Sequence, residues 1–271
     1  MDDRPIGVFD SGLGGLTTVR ELCRLLPEED IVYFGDTGRV PYGSRSRETI
    51  VKYARQDVAF LRTFDLKTIV IACGTVSTTA LDVLAAENPI PVLGVVAPAA
   101  RAAARATRSG SIGLIGTQAS IRSGAYERLI RAENPAARVL AQPCPLFVPL
   151  VENGRFRPGD VVIETVAAEY LAPLKEAGVD TLVLGCTALP PAGEGRSGPI
   201  WDRRWRLINS GAEAPGRRRT ACGSGTPWPG PGGGAAAASS ATGREDFSRL
   251  ASTFLGWDVA QAVEQVDISQ Y

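Results

Sequence analysis

Short apolar runs rich in Val and Ile recur along the first two thirds of the chain, and the segments between them carry apolar residues at three- and four-residue steps. The runs Ile6–Phe9, Ile31–Phe34, Thr68–Ala72, Val92–Val96, Ser111–Ile115, Val139–Gln142 and Thr181–Leu184 predict strands. Leu16, Val19, Cys23 and Leu26 fall on one face of a helix, as do Ile50, Ala54, Val58 and Leu61. Strands without polar alternation, separated by helices, predict a parallel sheet covered on both faces. The fold class is α/β.

The pattern repeats. Thr68-Ile-Val-Ile-Ala-Cys73 is echoed by Thr181-Leu-Val-Leu-Gly-Cys186, with Thr75 or Thr187 just beyond. Ile6-Gly-Val-Phe-Asp-Ser11 is echoed, in the same order, by Ile112-Gly-Leu-Ile-Gly-Thr117. Two related halves would each place a cysteine at the carboxyl end of a strand, where such sheets bind ligands.

After Thr187 the chain changes character. Residues 188–243 contain 12 Gly, 7 Pro and 7 Arg against four Leu or Ile and no Val. Such a stretch has too little apolar surface to offset chain entropy, so it reads as disordered or as translated out of frame. Two parts look ordered: Leu207–Glu213 predicts a strand and a turn. Further on, Phe247, Leu250 and Phe254 resume helical spacing before Gly256.

Charge and composition narrow the chemistry. The 271 residues carry 29 basic and 29 acidic side chains, so neither nucleic acid nor an anionic membrane is expected as a partner. No histidine is present, which excludes Ser-His-Asp and Cys-His machinery and any His-ligated metal. Five dispersed cysteines without a C-x-x-C pair predict free thiols in a reducing compartment, and no apolar run is long enough for a membrane span. A cytoplasmic protein is expected.

Cys73 and Cys186 are the sharp candidates. At a helix N-terminus a thiol pKa falls toward neutrality, and two thiols on one pocket suit a two-base proton transfer. Cys23, on the apolar stripe of a helix, and Cys144 and Cys222 are assigned no role. Asp10-Ser-Gly-Leu-Gly-Gly15 predicts a strand-to-helix loop whose Ser and backbone N–H groups could hold a carboxylate. Thr17 stands where a dinucleotide fingerprint needs Gly or Ala. Only three lysines occur, none in a glycine-rich loop, which argues against a pyridoxal Schiff base. No cofactor and no metal are expected.

Asp10-Ser-Gly-Leu-Gly-Gly15, Tyr33-Phe-Gly-Asp-Thr-Gly-Arg-Val-Pro-Tyr-Gly43, Ile71-Ala-Cys-Gly-Thr75, Pro149-Leu-Val-Glu-Asn-Gly154 and Leu184-Gly-Cys-Thr187 together resemble the glutamate branch of the aspartate/glutamate racemases. The resemblance implies cofactor-independent interconversion of L- and D-glutamate for peptidoglycan, with glutamate as the small-molecule partner and a homodimer left open. It implies two flavodoxin-like domains related by pseudo-two-fold symmetry with the active site between them. The first domain would be 1–95 completed by 208–271, and the second 96–207. By the same likeness Cys73 and Cys186 are the acid/base pair, and Asp10 and Glu152 assist. Ser11, Tyr42, Gly43, Gly74, Thr75, Thr187 and Ala188 join Asp10 around the substrate.

Two positions depart from the family pattern. Gly74 replaces an Asn, and Cys-Thr-His-Tyr-Pro becomes Cys186-Thr-Ala-Leu-Pro190. The missing His would support the second thiol, so weak or one-sided catalysis is expected. The alternatives are an impaired racemase-like protein that only binds, and an aspartate racemase or thiol-dependent decarboxylase relative, against which the Gly35–Gly43 loop speaks.

Overall fold

A computed structural model describes residues 2–157, 159–187, 200–214, 237–239, 244–259 and 263–271. The first half runs β1 (Ile6–Asp10), α1 (Leu16–Leu25), β2 (Ile31–Gly35), α2 (Arg47–Leu61), β3 (Thr68–Ile71), α3 (Gly74–Thr79), α4 (Leu81–Glu87) and β4 (Val92–Gly94). The second runs α5 (Val96–Ala106), β5 (Ser111–Gly116), α6 (Gln118–Ser123), α7 (Ala125–Glu133), β6 (Arg138–Pro143), α8 (Phe147–Glu152), α9 (Val161–Glu176), β7 (Thr181–Leu184), β8 (Arg206–Asn209) and α10 (Ser210–Glu213). The chain then contributes β9 (Ala237–Ser239), α11 (Arg244–Leu255) and β10 (Val263–Gln265).

Two parallel sheets result, ordered β10-β9-β2-β1-β3-β4 and β6-β5-β7-β8. Every residue of β1 and β2 is buried, as expected of strands apolar on both faces. On one face of the first sheet Phe9, Ile69 and Ile71 meet Ile50, Ala54, Val58 and Leu61 of α2. On the other, Val8 and Tyr33 meet Leu16 and Val19 of α1 and Phe247 and Phe254 of α11. The second sheet is covered by α5 and α7 on one side and by α9, through Ile163, Ala167, Leu171 and Leu174, on the other. Fully burying one such side chain contributes roughly 1.5–3 kcal/mol.

The structure corrects three expectations. The fourth strand stops at Gly94 rather than Val96, because Val95 already has helical φ/ψ and α5 starts with Pro98 in its first turn, where proline is tolerated. Residues within the Gly/Pro/Arg-rich stretch are built in: Trp201 and Trp205 are buried against the α9 side of the second sheet. Ala237–Ser239 pairs on both edges, in parallel ladders with Tyr33–Gly35 and Val263–Gln265, which orders it through backbone hydrogen bonds. The remainder of that stretch lies outside the described residues. Leu207–Glu213 holds the expected strand, but a short helix, Ser210–Glu213, stands where a turn is expected, its start capped by the Asn209 side chain accepting from the Gly211 N–H.

Candidate active site

The carboxyl ends of β1, β3, β5 and β7 converge where the two sheets face each other. At β1, the Asp10 carboxylate accepts N–H bonds from Gly12 (3.2 Å) and Gly15 (3.0 Å), closing the loop into α1. Gly15 sits against the Asp10 side chain with no room for a Cβ, which explains a glycine there. At β3, Cys73 is the N-cap of α3, and its sulfur lies 3.3 Å from Ser11 Oγ. From the opposite half, Glu152 at the end of α8 accepts the Leu13 N–H at 3.2 Å. Gly12 packs so closely on the Glu152 carboxylate that any side chain would collide with it.

The second half supplies the matching shelf. Cys186 follows Gly185, whose carbonyl oxygen accepts from the Tyr126 hydroxyl at 3.4 Å. The Tyr126 and Ser210 hydroxyls pair at 2.8 Å, and Ser210 Oγ donates to Leu184 O at 2.8 Å. The two shelves touch. A Cβ on Gly74 would run into the Gly185 carbonyl oxygen, and Thr75 Oγ1 bonds Thr117 Oγ1 at 2.9 Å across the seam.

Between them lies a cavity of about 20 Å³, lined by both cysteines, Asp10, Glu152, Ser11 and Thr187. Tyr42, Gly43 and Thr75 also reach it. Tyr42 does so with its hydroxyl committed to the buried carboxylates of Asp36 and Asp57. Gly74 forms the seam instead of the lining, and Ala188 lies outside the described residues. Two lining residues were not anticipated, Thr117 and Val148. Thr117 had a signal: it is the counterpart of Ser11 in the internal repeat. Val148 had none, because its place depends on how α8 packs.

Burial dominates the electrostatics. The Cys73 thiol is pushed up to about 12 by burial and then by the Asp10 charge, against the help of Ser11 and backbone N–H bonds. The expected drop toward neutrality is thus reversed. The helix dipole stabilises an anion by roughly 0.3–1 kcal/mol, whereas full burial shifts a pKa by up to about 3–5 units. Asp10 is raised by burial, and Glu152 is raised to about 7 by burial, with Asp10's charge adding to it. Two carboxyl groups whose pKa values are raised by burial therefore share one small cavity with two thiols. Among the described residues no cluster of His, Cys, Asp or Glu could hold a metal, and no helix is long and apolar enough to cross a membrane.

The family model of the Asp/Glu/Hydantoin racemases matches residues 9–197. This chain belongs to that family. A glutamate racemase of Geobacter metallireducens is 51% identical over 190 residues, covering 70% of either chain. One from Lactococcus lactis subsp. cremoris is 46% identical over 217 residues, covering 79% of this chain and 78% of its own. Among solved structures, the glutamate racemase of Francisella tularensis in complex with D-glutamate superimposes with a TM-score of 0.83 at 34% identity, over the full length of both chains. The Escherichia coli glutamate racemase, solved with L-glutamate and the activator UDP-MurNAc-ala, gives 0.75 at 27% identity over 97% of this chain and 98% of its own. An aspartate racemase of Picrophilus torridus, at 16% identity and a TM-score of 0.53, shares the fold.

Proposed function

We propose that this protein is a cofactor-independent glutamate racemase, inverting the α-carbon by proton transfer between Cys73 and Cys186. One observation supports this above the others: two cysteines at equivalent strand ends reach a single cavity that also holds two carboxyl groups, Asp10 and Glu152, whose hold on a proton burial strengthens. The α-proton of an amino acid is a very weak acid, so its removal needs a dry, preorganised site with donors placed for the developing charge. The Ser11 and Thr187 hydroxyls, the Thr75–Thr117 pair and the Gly43 backbone are the groups offered to the substrate carboxylates. No metal or organic cofactor has a role in this scheme.

The protons balance as follows. Cys73 rests as a thiol, and ionising it at pH 7 costs about five decades, ~7 kcal/mol. Asp10 takes that proton, and the substrate's ammonium group offsets the thiolate charge. The Cys73 thiolate then removes the α-proton from one face while the Cys186 thiol delivers its own to the other. Glu152, with its pKa about 7, then gives its proton to the Cys186 thiolate; the reverse reaction runs the same transfers backwards, Glu152 taking the Cys186 proton and Asp10 returning one to Cys73. A water-sized cavity cannot hold a five-carbon amino acid, so substrate entry parts the Gly74–Gly185 seam.

The product's role would be to supply D-glutamate for peptidoglycan in the cytoplasm. Initial rates on glutamate and aspartate test the reading. Turnover of glutamate with aspartate at least about 10²-fold slower is expected; preference for aspartate overturns it. A second reading, a protein that binds glutamate without inverting it, draws on Ala188 in place of the family's His.

A further inference from the structure

A buried charge cluster stands directly behind the cavity without lining it. Asp36 and Asp57 have fully buried side chains, and the Arg39 guanidinium lies between them. Its Nε donates to Asp36, its Nη2 to Asp57 Oδ1 at 2.8 Å and its Nη1 to Gln56 Oε1 at 2.6 Å. Its flat face lies 4.2 Å from the centre of the Tyr53 ring. Gln56, Asp57 and Tyr53 all belong to α2, so the guanidinium ties the loop after β2 to that helix.

The loop's next residues are those that reach the cavity. The Tyr42 hydroxyl donates to Asp36 and, at 3.1 Å, to Asp57 Oδ2, and its ring packs on Tyr53 with centroids 5.3 Å apart. Gly43 follows at once in the turn Tyr42–Ser44 and presses on Thr117 of the other half, where a Cβ would come within 2.5 Å of Thr117 Cβ. Thr117 in turn bonds Thr75. An unbroken line of contacts therefore runs from α2 through Arg39 and Tyr42 to the seam at which the substrate must sit.

We propose that Arg39, Asp36 and Asp57 are positioning residues that fix the Tyr42–Gly43 turn and so set affinity for glutamate without touching it. This rests on the glutamate racemase reading. Burial and the neighbouring Asp36 charge hold the Asp57 carboxyl well above the ordinary carboxylate range. The Arg39 cation between the two buried carboxyl groups offsets part of the cost of burying them. The arrangement needs a planar fork that reaches three acceptors at once, a geometry that lysine cannot reproduce.

Initial-rate kinetics on both glutamate enantiomers, with thermal melts alongside, test the proposal. Arg39→Lys is expected to raise KM by about tenfold or more while kcat stays within about threefold, the pattern of lost ground-state and transition-state binding together. Tyr42→Phe, which deletes a single oxygen, shifts KM in the same direction by less. Asp57→Asn keeps an oxygen for Arg39 and should retain more affinity than Asp57→Leu. A folded Arg39→Lys protein with wild-type KM overturns the proposal, as does a fall in kcat at constant KM. If Arg39→Lys fails to fold, Tyr42→Phe decides on the same criterion. Wild-type protein that turns over no glutamate overturns the functional reading and this proposal with it; normal wild-type turnover with unmoved KM in the variants overturns this proposal alone.

Discussion

Cys73 and Cys186 terminate strands that pair with the same relative register to β1 and β5, yet their surroundings diverge. Cys73 is buried, caps α3, and has Ser11 and Asp10 beside it. Cys186 is only half-buried, and its backbone is set by Tyr126 and Ser210, which hold the carbonyls of the two residues before it. One side carries its own proton acceptor at the price of a thiol that resists ionisation. The other relies on backbone placement and on Glu152, which its own half supplies to the cavity. The asymmetry teaches that a symmetric pair of strand ends supplies symmetric geometry in unequal surroundings, differing in burial and in the groups that flank each thiol.

The largest effect that could break this comparison comes from deleting either thiol. Cys73→Ser and Cys186→Ser should each lower racemisation by about 10³-fold or more, since a serine hydroxyl is a far poorer base. Polarimetry on purified variants checks this. Inversion within about tenfold of wild type in either one contradicts the two-sided scheme. Next, Glu152→Gln should lower kcat by about 10²-fold, at the low end for an assisting acid/base group that does not itself meet the α-proton.

The same substitution sharpens the electrostatic half of the comparison. Glu152 is raised from 4.5 to about 7, so the native state binds the extra proton. Its contribution is fully present below pH 4.5 and is lost as pH climbs through about 7, a decline of roughly 3 kcal/mol over that window. Urea midpoints measured from pH 4.5 to 8 should show Glu152→Gln losing that slope. Retention of the full slope in the variant would place the titration elsewhere.

Smaller effects probe the seam. Gly74→Ala forces a methyl group onto the Gly185 carbonyl and should cost about 1–3 kcal/mol by denaturant melting, as overpacking does. Wild-type stability in that variant would mean the two shelves are further apart. Tyr126→Phe removes the hydroxyl shared by Ser210 and Gly185 and should cost ~1 kcal/mol, with a modest fall in kcat through a looser Cys186.

Much of this was legible in the residues because parallel strands buried on both faces write themselves as Val/Ile runs. The repeat also marks Thr117, which echoes Ser11 and lines the cavity with it. Features that depend on tertiary packing were not legible. Arg39 and Asp57 are 18 positions apart, and only the fold of α2 onto the sheet makes them partners. The Cys73 pKa departs from the sequence expectation because a helix start is visible in sequence while the depth of burial is not. Trp201 and Trp205 sat in a stretch whose average composition argued against order; two large side chains with a sheet face to cover outweighed it.

The central claim is that two thiols complete racemisation in a chain with no histidine. It is tested most directly by incubating the protein with L-glutamate, and separately D-glutamate, in D₂O and following α-deuterium and optical rotation together. Slow inversion from both enantiomers is expected, with deuterium in each product and equal kcat/KM in the two directions, as an equilibrium constant of one demands. Exchange from one enantiomer alone, without inversion, would contradict it.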